Sequence, residues 1–333
     1  CPAICPLREH GKPLIPIMRA ALFLPILLGL AAPAIAAPDA AQWLDAMAQA
    51  ERTQDFQGTF VYERDGDFST YQIWHRAGNG AVHDRVFKLD GVASERVQTD
   101  GRLTCMTGSP VSGGGKVSSS AAATLDPLKL MSWYQLRVAG ASRVAGRDAV
   151  VVTMVPRDRD RYAFEMHLDA HTGLLLKSLL IDAKGRLLER LQYTQLQPGA
   201  PAPADLKATP NCKPVLHASS GSAPGNALAW QANWVPAGFE LAQTAQRKSS
   251  ASNADVTSLL YADGLAHFSV FLEPLNGASA RDTRVQLGPT AAVSRRLKSS
   301  DGEMMITVVG EIPLGTAERI ALSIQRQDVH VLR

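Results

Sequence analysis

The chain reads as α+β and mostly antiparallel β. Three observations predict this. Asp-Gly recurs at 65–66, 90–91, 100–101 and 263–264, between segments of strand character. This pair tolerates the positive backbone angles of a primed hairpin turn. Helical periodicity is confined to three short stretches, 39–56, 125–136 and 315–325. A segment rich in Pro, Ala, Ser and Gly, 196–228, separates two apolar regions as an interdomain linker does. The expected organisation is therefore a first domain over 37–195, a linker over 196–228, a second domain over 229–325 and a tail over 326–333.

The 333-residue chain opens on Cys1. Met18, Arg19, the apolar "AALFLPILLGLAA" (20–32) and the small-x-small "AIA" (34–36) predict a signal peptide over 18–36, cut after Ala36. Residues 1–17 read as lying upstream of the true start. The apolar run is shorter than the ~20 residues of a membrane span, and Pro25 interrupts it. Cleavage removes Arg8, Lys12, Arg19 and Glu9, so basic residues fall from 34 to 31 and acidic from 31 to 30. A net charge of about +1 lacks the basic excess of a nucleic-acid binder. Cys105 and Cys212 remain. An oxidising compartment permits a bridge between them, and two free thiols are the alternative.

Element by element, 39–56 predicts an amphipathic helix with Asp39 as N-cap and Trp43, Met47 and Ala50 at helical spacing. "QGTFVYER" (57–64) and "FSTYQIWH" (68–75) flank "DGD" and predict a hairpin that opens a meander. Residues 107–124 are Gly/Ser/Ala-rich and read as a long loop. "LDPLKLMSWYQL" (125–136) predicts a short helix with Asp126 as cap and Pro127 at its first position. Strand character returns at 143–158, and further hairpins turn at "AHTG" (170–173) and "AKG" (183–185). In the second domain, 255–274 and 302–313 read as strands and 315–325 as a helix.

Catalytic and metal motifs are missing from this sequence. His167 and His171 are four apart, but they sit on a strand running into a turn, ~13 Å apart in extended chain. Chelation by both needs a folded-back loop, so a hairpin with polar turn residues is the expected reading. No serine lies in G-x-S-x-G, and "SGGGKV" (112–117) lacks phosphate-loop spacing. The expectation is no enzyme, no cofactor and no metal. Phe60, Tyr62, Tyr71, Trp74, Trp133 and Tyr134 either line a concave apolar pocket in a sheet curved over a helix or pack as core. Arg157, Arg159 and Arg161 in "PRDRDRY" (156–162) either hold an anion or form local ion pairs.

Three stretches, "FQGTFVYERDGDFSTYQIWHR" (56–76), "SRVAGRDAVVVTMVPRDRDRYAF" (142–164) and "LDAHTGLLLKSLLIDAKGRLLERLQYTQL" (168–196), resemble the N-terminal domain of the MucB/RseB family. "YADGLAHFSVFLEP" (261–274) and "TVVGEIPLGTAERIALSI" (307–324) are similar to its C-terminal domain. Ala163 and Ala262 depart from the family pattern. The resemblance implies a half-open barrel over helices, similar to lipoprotein carriers, followed by a smaller α+β domain. It implies a periplasmic regulator that binds the periplasmic domain of a membrane-spanning anti-sigma factor of the MucA/RseA type and shields it from proteolysis. Lipopolysaccharide or another lipid is the implied release signal, and homo-oligomers are left open. The aromatics and arginines above are then lipid-binding candidates. Trp234, Phe239, Tyr261, Phe268 and Phe271 are partner-binding candidates. A periplasmic lipid or lipoprotein carrier is the competing expectation.

Overall fold

The computed structural model describes residues 39–78, 80–107, 125–215, 230–249, 252–299 and 302–326. The expected signal peptide, most of the 107–124 loop and the tail beyond Arg326 lie outside these. The first helix, α1 (Ala40–Thr53), starts where Asp39 accepts from the Gln42 N–H and the Gln42 side chain accepts from the Asp39 N–H. This reciprocal cap satisfies two donors that a helix start leaves open. Strands β1 (Phe56–Arg64), β2 (Asp67–Gly78), β3 (Ala81–Lys88), β4 (Glu95–Thr99) and β5 (Arg102–Met106) follow as an antiparallel meander. The tight turns at Asp65–Gly66 and Asp100–Gly101 have positive φ at both residues, as the Asp-Gly pairs predict.

A short helix, α2 (Pro127–Leu130), precedes β6 (Tyr134–Val144), β7 (Arg147–Pro156), β8 (Ala163–Asp169), β9 (Leu175–Ile181) and β10 (Leu187–Pro198). The helix expected over 125–136 is thus only one turn long. Tyr134 pairs with Pro156 across β6–β7, and this pairing takes the C-terminal part of the segment into the sheet. Strand β11 (Lys213–Pro214) completes an 11-stranded sheet ordered β11-β5-β4-β3-β2-β1-β10-β9-β8-β7-β6. The two end strands do not pair, so the barrel stays open. Helix α1 fills its concave side. Ala50 packs with Phe56, Phe60 and Leu176, and Leu44 and Met47 pack with Leu130, Tyr134 and Met154.

Residues 216–228 of the expected linker lie outside the described residues. The linker's first three residues finish β10, and the segment to Cys212 is held against the first sheet. Arg85 donates to the Asp205 carbonyl at 2.8 Å, and the Thr209 N–H reaches both Glu95 oxygens at 3.1 Å. Cys105 and Cys212 form a disulfide across 107 residues of sequence. Composition signalled a weak core there; tertiary bonds supply the order instead.

The second domain has strands β12 (Trp230–Ala232), β13 (Glu240–Lys248), β14 (Asp255–Ala262), β15 (His267–Pro274), β16 (Thr283–Leu287), β17 (Thr290–Ser299) and β18 (Gly302–Gly310). Helix α3 (Leu314–Ser323) and β19 (Ile324–Arg326) end it. Its sheet runs β13-β14-β15-β18-β17-β16, while β12 pairs with β19. Alternation on β15 sends Phe268, Val270 and Leu272 into a core closed by Ile320 and Ala317 of α3.

Both domains belong to one compact unit. Gly238, at φ +89°, lies so close to Trp133 of the first domain that an added Cβ would meet the indole at 2.3 Å. Side chains rarely adopt this φ and the ring has no slack. Gly238→Ala is expected to lower stability by about 1–3 kcal/mol through overpacking. A urea midpoint unchanged from the parent would refute this.

Candidate functional site

The inner face of the open barrel is set by strand parity. Phe56, Gly58, Phe60 and Tyr62 alternate inward on β1, opposite His75, Ile73, Tyr71 and Ser69 of β2. Phe60 stacks on Tyr71 with ring centroids 5.3 Å apart, and Tyr62 meets Tyr71 edge-on at 6.4 Å. Tyr193 of β10 packs against Phe60 at 5.6 Å. Three predicted pocket residues therefore come together as one aromatic layer. Phe60 and Tyr62 are buried in the core, and Tyr71 is half-buried at its margin.

The other three aromatics do not join them. Trp74 lies on the opposite face of β2, where the Arg85 guanidinium covers it at 4.7 Å. Trp133 packs on Gly238, and the buried Tyr134 hydroxyl donates to Asp263 of the second domain at 3.3 Å. These two belong to the domain junction.

The arginine cluster also divides. Arg157 and Arg159 are exposed, with Arg157 donating to the Met131 carbonyl at 3.2 Å. Arg161 is buried and spends its fork on protein acceptors: Asp263 at 2.6 Å, Asp158 at 2.9 Å and the Ala237 carbonyl. It also lies over the Phe239 ring at 5.1 Å and the Tyr134 ring at 5.5 Å. A lipid phosphate at the pocket mouth cannot use it. Burial raises the Asp263 carboxyl above its ordinary range, opposed by the N–H groups of Leu265 and Ala266 and by Arg161. The Asp263–Gly264 turn is thus the second domain's anchor for Arg161.

The first sheet holds a further polar group that motif reading did not single out. His75 is fully buried, bonded through Nδ1 to Asp84 and through Nε2 to the Glu51 carbonyl at 2.9 Å. Burial alone would lower its pKa, but the hydrogen bond and charge of Asp84 raise it. His75 stacks on Phe56 at 4.4 Å and ties α1 to the sheet. His167 and His171 do not converge. His167 is buried between Ser142 Oγ at 2.7 Å and Glu165 Oε1 at 2.9 Å, and burial lowers its pKa. His171 is in the turn, its N–H donating to Asp169. No cluster of metal-ligand type occurs among the described residues.

Of the partner candidates, Phe239, Tyr261 and Phe268 are core. Tyr261 stacks on Phe268 at 5.0 Å, and Phe239 leans on Phe268 at 5.2 Å. They are unavailable to a partner in this conformation. Trp234 is half-buried beneath Arg319 at 3.7 Å. Phe271 lies on the sheet face away from α3. It lines a cleft of about 740 Å³ together with Arg247, Leu260 and Ser269, and Arg102 and Leu103 from the first domain close the other wall. The geometry can hold a polypeptide or an amphipathic ligand between domains; it presents no reacting pair.

The comparisons agree with this architecture. Residues 39–211 match the family model for the MucB/RseB N-terminal domain, and 224–325 match the C-terminal one. The chain is 51% identical over 304 residues to the sigma factor AlgU regulatory protein MucB of Pseudomonas aeruginosa, covering 90% of this chain and 96% of that protein. It is 28% identical to the sigma-E factor regulatory protein RseB of Haemophilus influenzae, covering 93% and 98%. The crystal structure of MucB in complex with MucA(peri) superposes with a TM-score of 0.75 at 50% identity, covering 87% of this chain and all of that one. The crystal structure of MucB gives 0.66 at 49% identity, covering 86% of this chain and 98% of that one. With two domain models matched in order and a relative covered almost end to end, the chain belongs to the MucB/RseB family.

Proposed function

We propose that this protein is a periplasmic negative regulator of an envelope-stress sigma factor. It binds the periplasmic domain of a membrane-spanning anti-sigma factor and shields it from regulated proteolysis. The observation that carries this is the similarity of the whole two-domain chain to MucB as seen with MucA(peri). The export signal read at 18–36 supplies the compartment, and no helix among the described residues is long and apolar enough to cross a membrane. A lipid such as lipopolysaccharide releases the partner. Tyr71, at the margin of the aromatic layer, is its most accessible aromatic contact there. A ligand shifts the two-domain arrangement only if it binds one arrangement better, so lipid and partner must differ in that preference.

Phe271 and the cleft are the partner surface this reading favours. The mature protein should retain the anti-sigma periplasmic domain on a column and slow its cleavage in a reconstituted assay. Phe271→Ala should weaken retention by roughly tenfold or more, as truncating a central aromatic anchor does, while leaving the melting temperature near the parent's. Cleavage proceeding at the same rate with and without the protein would overturn the proposal. Movement of acyl cargo to an acceptor in that case would favour the carrier reading.

A further inference from the structure

Arg64, at the end of β1, reaches out of the first domain. Its Nη1 atom is 3.3 Å from Glu189 Oε2 on β10 and 3.3 Å from Glu311 Oε1, just beyond β18 in the second domain. Its Nη2 atom bonds Thr290 Oγ1 of β17. Tyr62 donates its hydroxyl to the same Glu189 oxygen at 2.7 Å. Two carboxylates, one from each domain, therefore share one guanidinium. The three charged side chains are each about one-fifth exposed, at 19–22%.

Of the surrounding charges, Arg96 of β4 interacts with Tyr62 and Tyr71, and the carboxylate-bearing Asp65 lies against Gly288 of the second domain. On the β9–β10 turn, Asp182 and Arg186 pair with each other at 2.8 Å. Glu63 and Arg190, neighbours of the cluster on β1 and β10, pair at 3.4 Å. Tyr162, before β8, donates its hydroxyl to the Ile312 carbonyl at 3.1 Å and meets Gln286 of β16 at 3.4 Å. With both glutamates ionised the cluster holds a surplus negative charge where water screens poorly, and like charges in such a place favour retaining a proton.

We propose that Glu189, Arg64 and Glu311 form a pH-sensitive latch across the domain junction, closed while one carboxyl keeps its proton and loosened when both are ionised. Burial and the charge of Glu311 raise Glu189 to about 7, against the pull of Tyr62 and Arg64. When the domains part, Glu189 loses Glu311 and gains water, and its affinity for the proton falls toward the ordinary 4.5. The closed junction thus binds the proton more tightly than the open one. Its extra strength is fully present below the ordinary value and is lost as pH rises toward the raised one. The hydroxyl that holds Glu189 belongs to a ring packed on Tyr71, so latch and aromatic layer share one side chain. The proposal concerns the chain's own junction and does not depend on the partner reading.

Hydrogen exchange of the full chain tests this, with peptides spanning 286–292 and 309–314 followed at about pH 5.5 and about pH 7.5. After correction for intrinsic exchange, protection in the parent should fall by roughly tenfold between the two, the effect of one retained pKa unit. Glu189→Gln and Glu311→Gln, made on opposite sides of the junction, should each flatten that dependence. Parent protection that does not change with pH would overturn the latch. So would variants as pH-sensitive as the parent. Should Glu189→Gln fail to fold, Glu311→Gln decides by the same readout.

Discussion

Arg161→Ala is expected to cost about 3–5 kcal/mol, because it leaves the buried Asp263 carboxylate without its cation. Both side chains are fully buried, and the guanidinium serves two carboxylates and the Ala237 carbonyl from one planar fork. Lysine cannot reproduce that geometry, so Arg161→Lys should recover little. Asparagine at 263 keeps an oxygen for the N–H groups of Leu265 and Ala266 while removing the charge. The double variant Arg161→Met, Asp263→Asn should therefore be clearly more stable than Arg161→Ala alone. Urea unfolding followed in each domain, by fluorescence and by exchange, checks both points. Arg161→Ala within about 0.5 kcal/mol of the parent, the range typical of uninvolved surface positions, would show that the ion pair does not hold the domains.

The disulfide is the second large contribution. It closes a loop of 107 residues, from β5 to the segment that crosses the outer face of β3 and β4. Removing a native bridge typically costs about 2–5 kcal/mol. Cys105→Ser with Cys212→Ser is expected to lower the melting temperature by roughly 5–15 °C. Reductant should lower the parent to the same value and leave the variant unchanged. A parent insensitive to reductant under conditions shown by mass to break the bridge would overturn this. The loss should centre on β4, β5 and β11, since Glu95 and Arg85 also hold that segment and would lose their register with Thr209 and Asp205.

Much of the fold was legible locally. Asp39 with Gln42, and the Asp-Gly pairs at 65–66 and 100–101, act through bonds within a few residues. Some of the candidate site was legible too, had alternation been carried further. Tyr71 and Trp74 are three apart on one strand, and so are Phe268 and Phe271; a period of two puts each pair on opposite faces. Parity alone therefore separates Trp74 from the aromatic layer and Phe271 from the core. Trp133 and Tyr134 fell inside a helical pattern because apolar spacing there fits both states. Pairing with β7 decided between them.

The sequence by itself determined the β-rich class and the turn positions at 65–66 and 100–101. Each depends on side chains acting on their own neighbourhood. Tertiary structure alone decided that Arg161 anchors the domains, that Cys105 and Cys212 bridge, and that Glu189 and Glu311 share Arg64. Those groups are far apart along the chain, and local periodicity carries no information about which distant charges a folded junction brings within 4 Å.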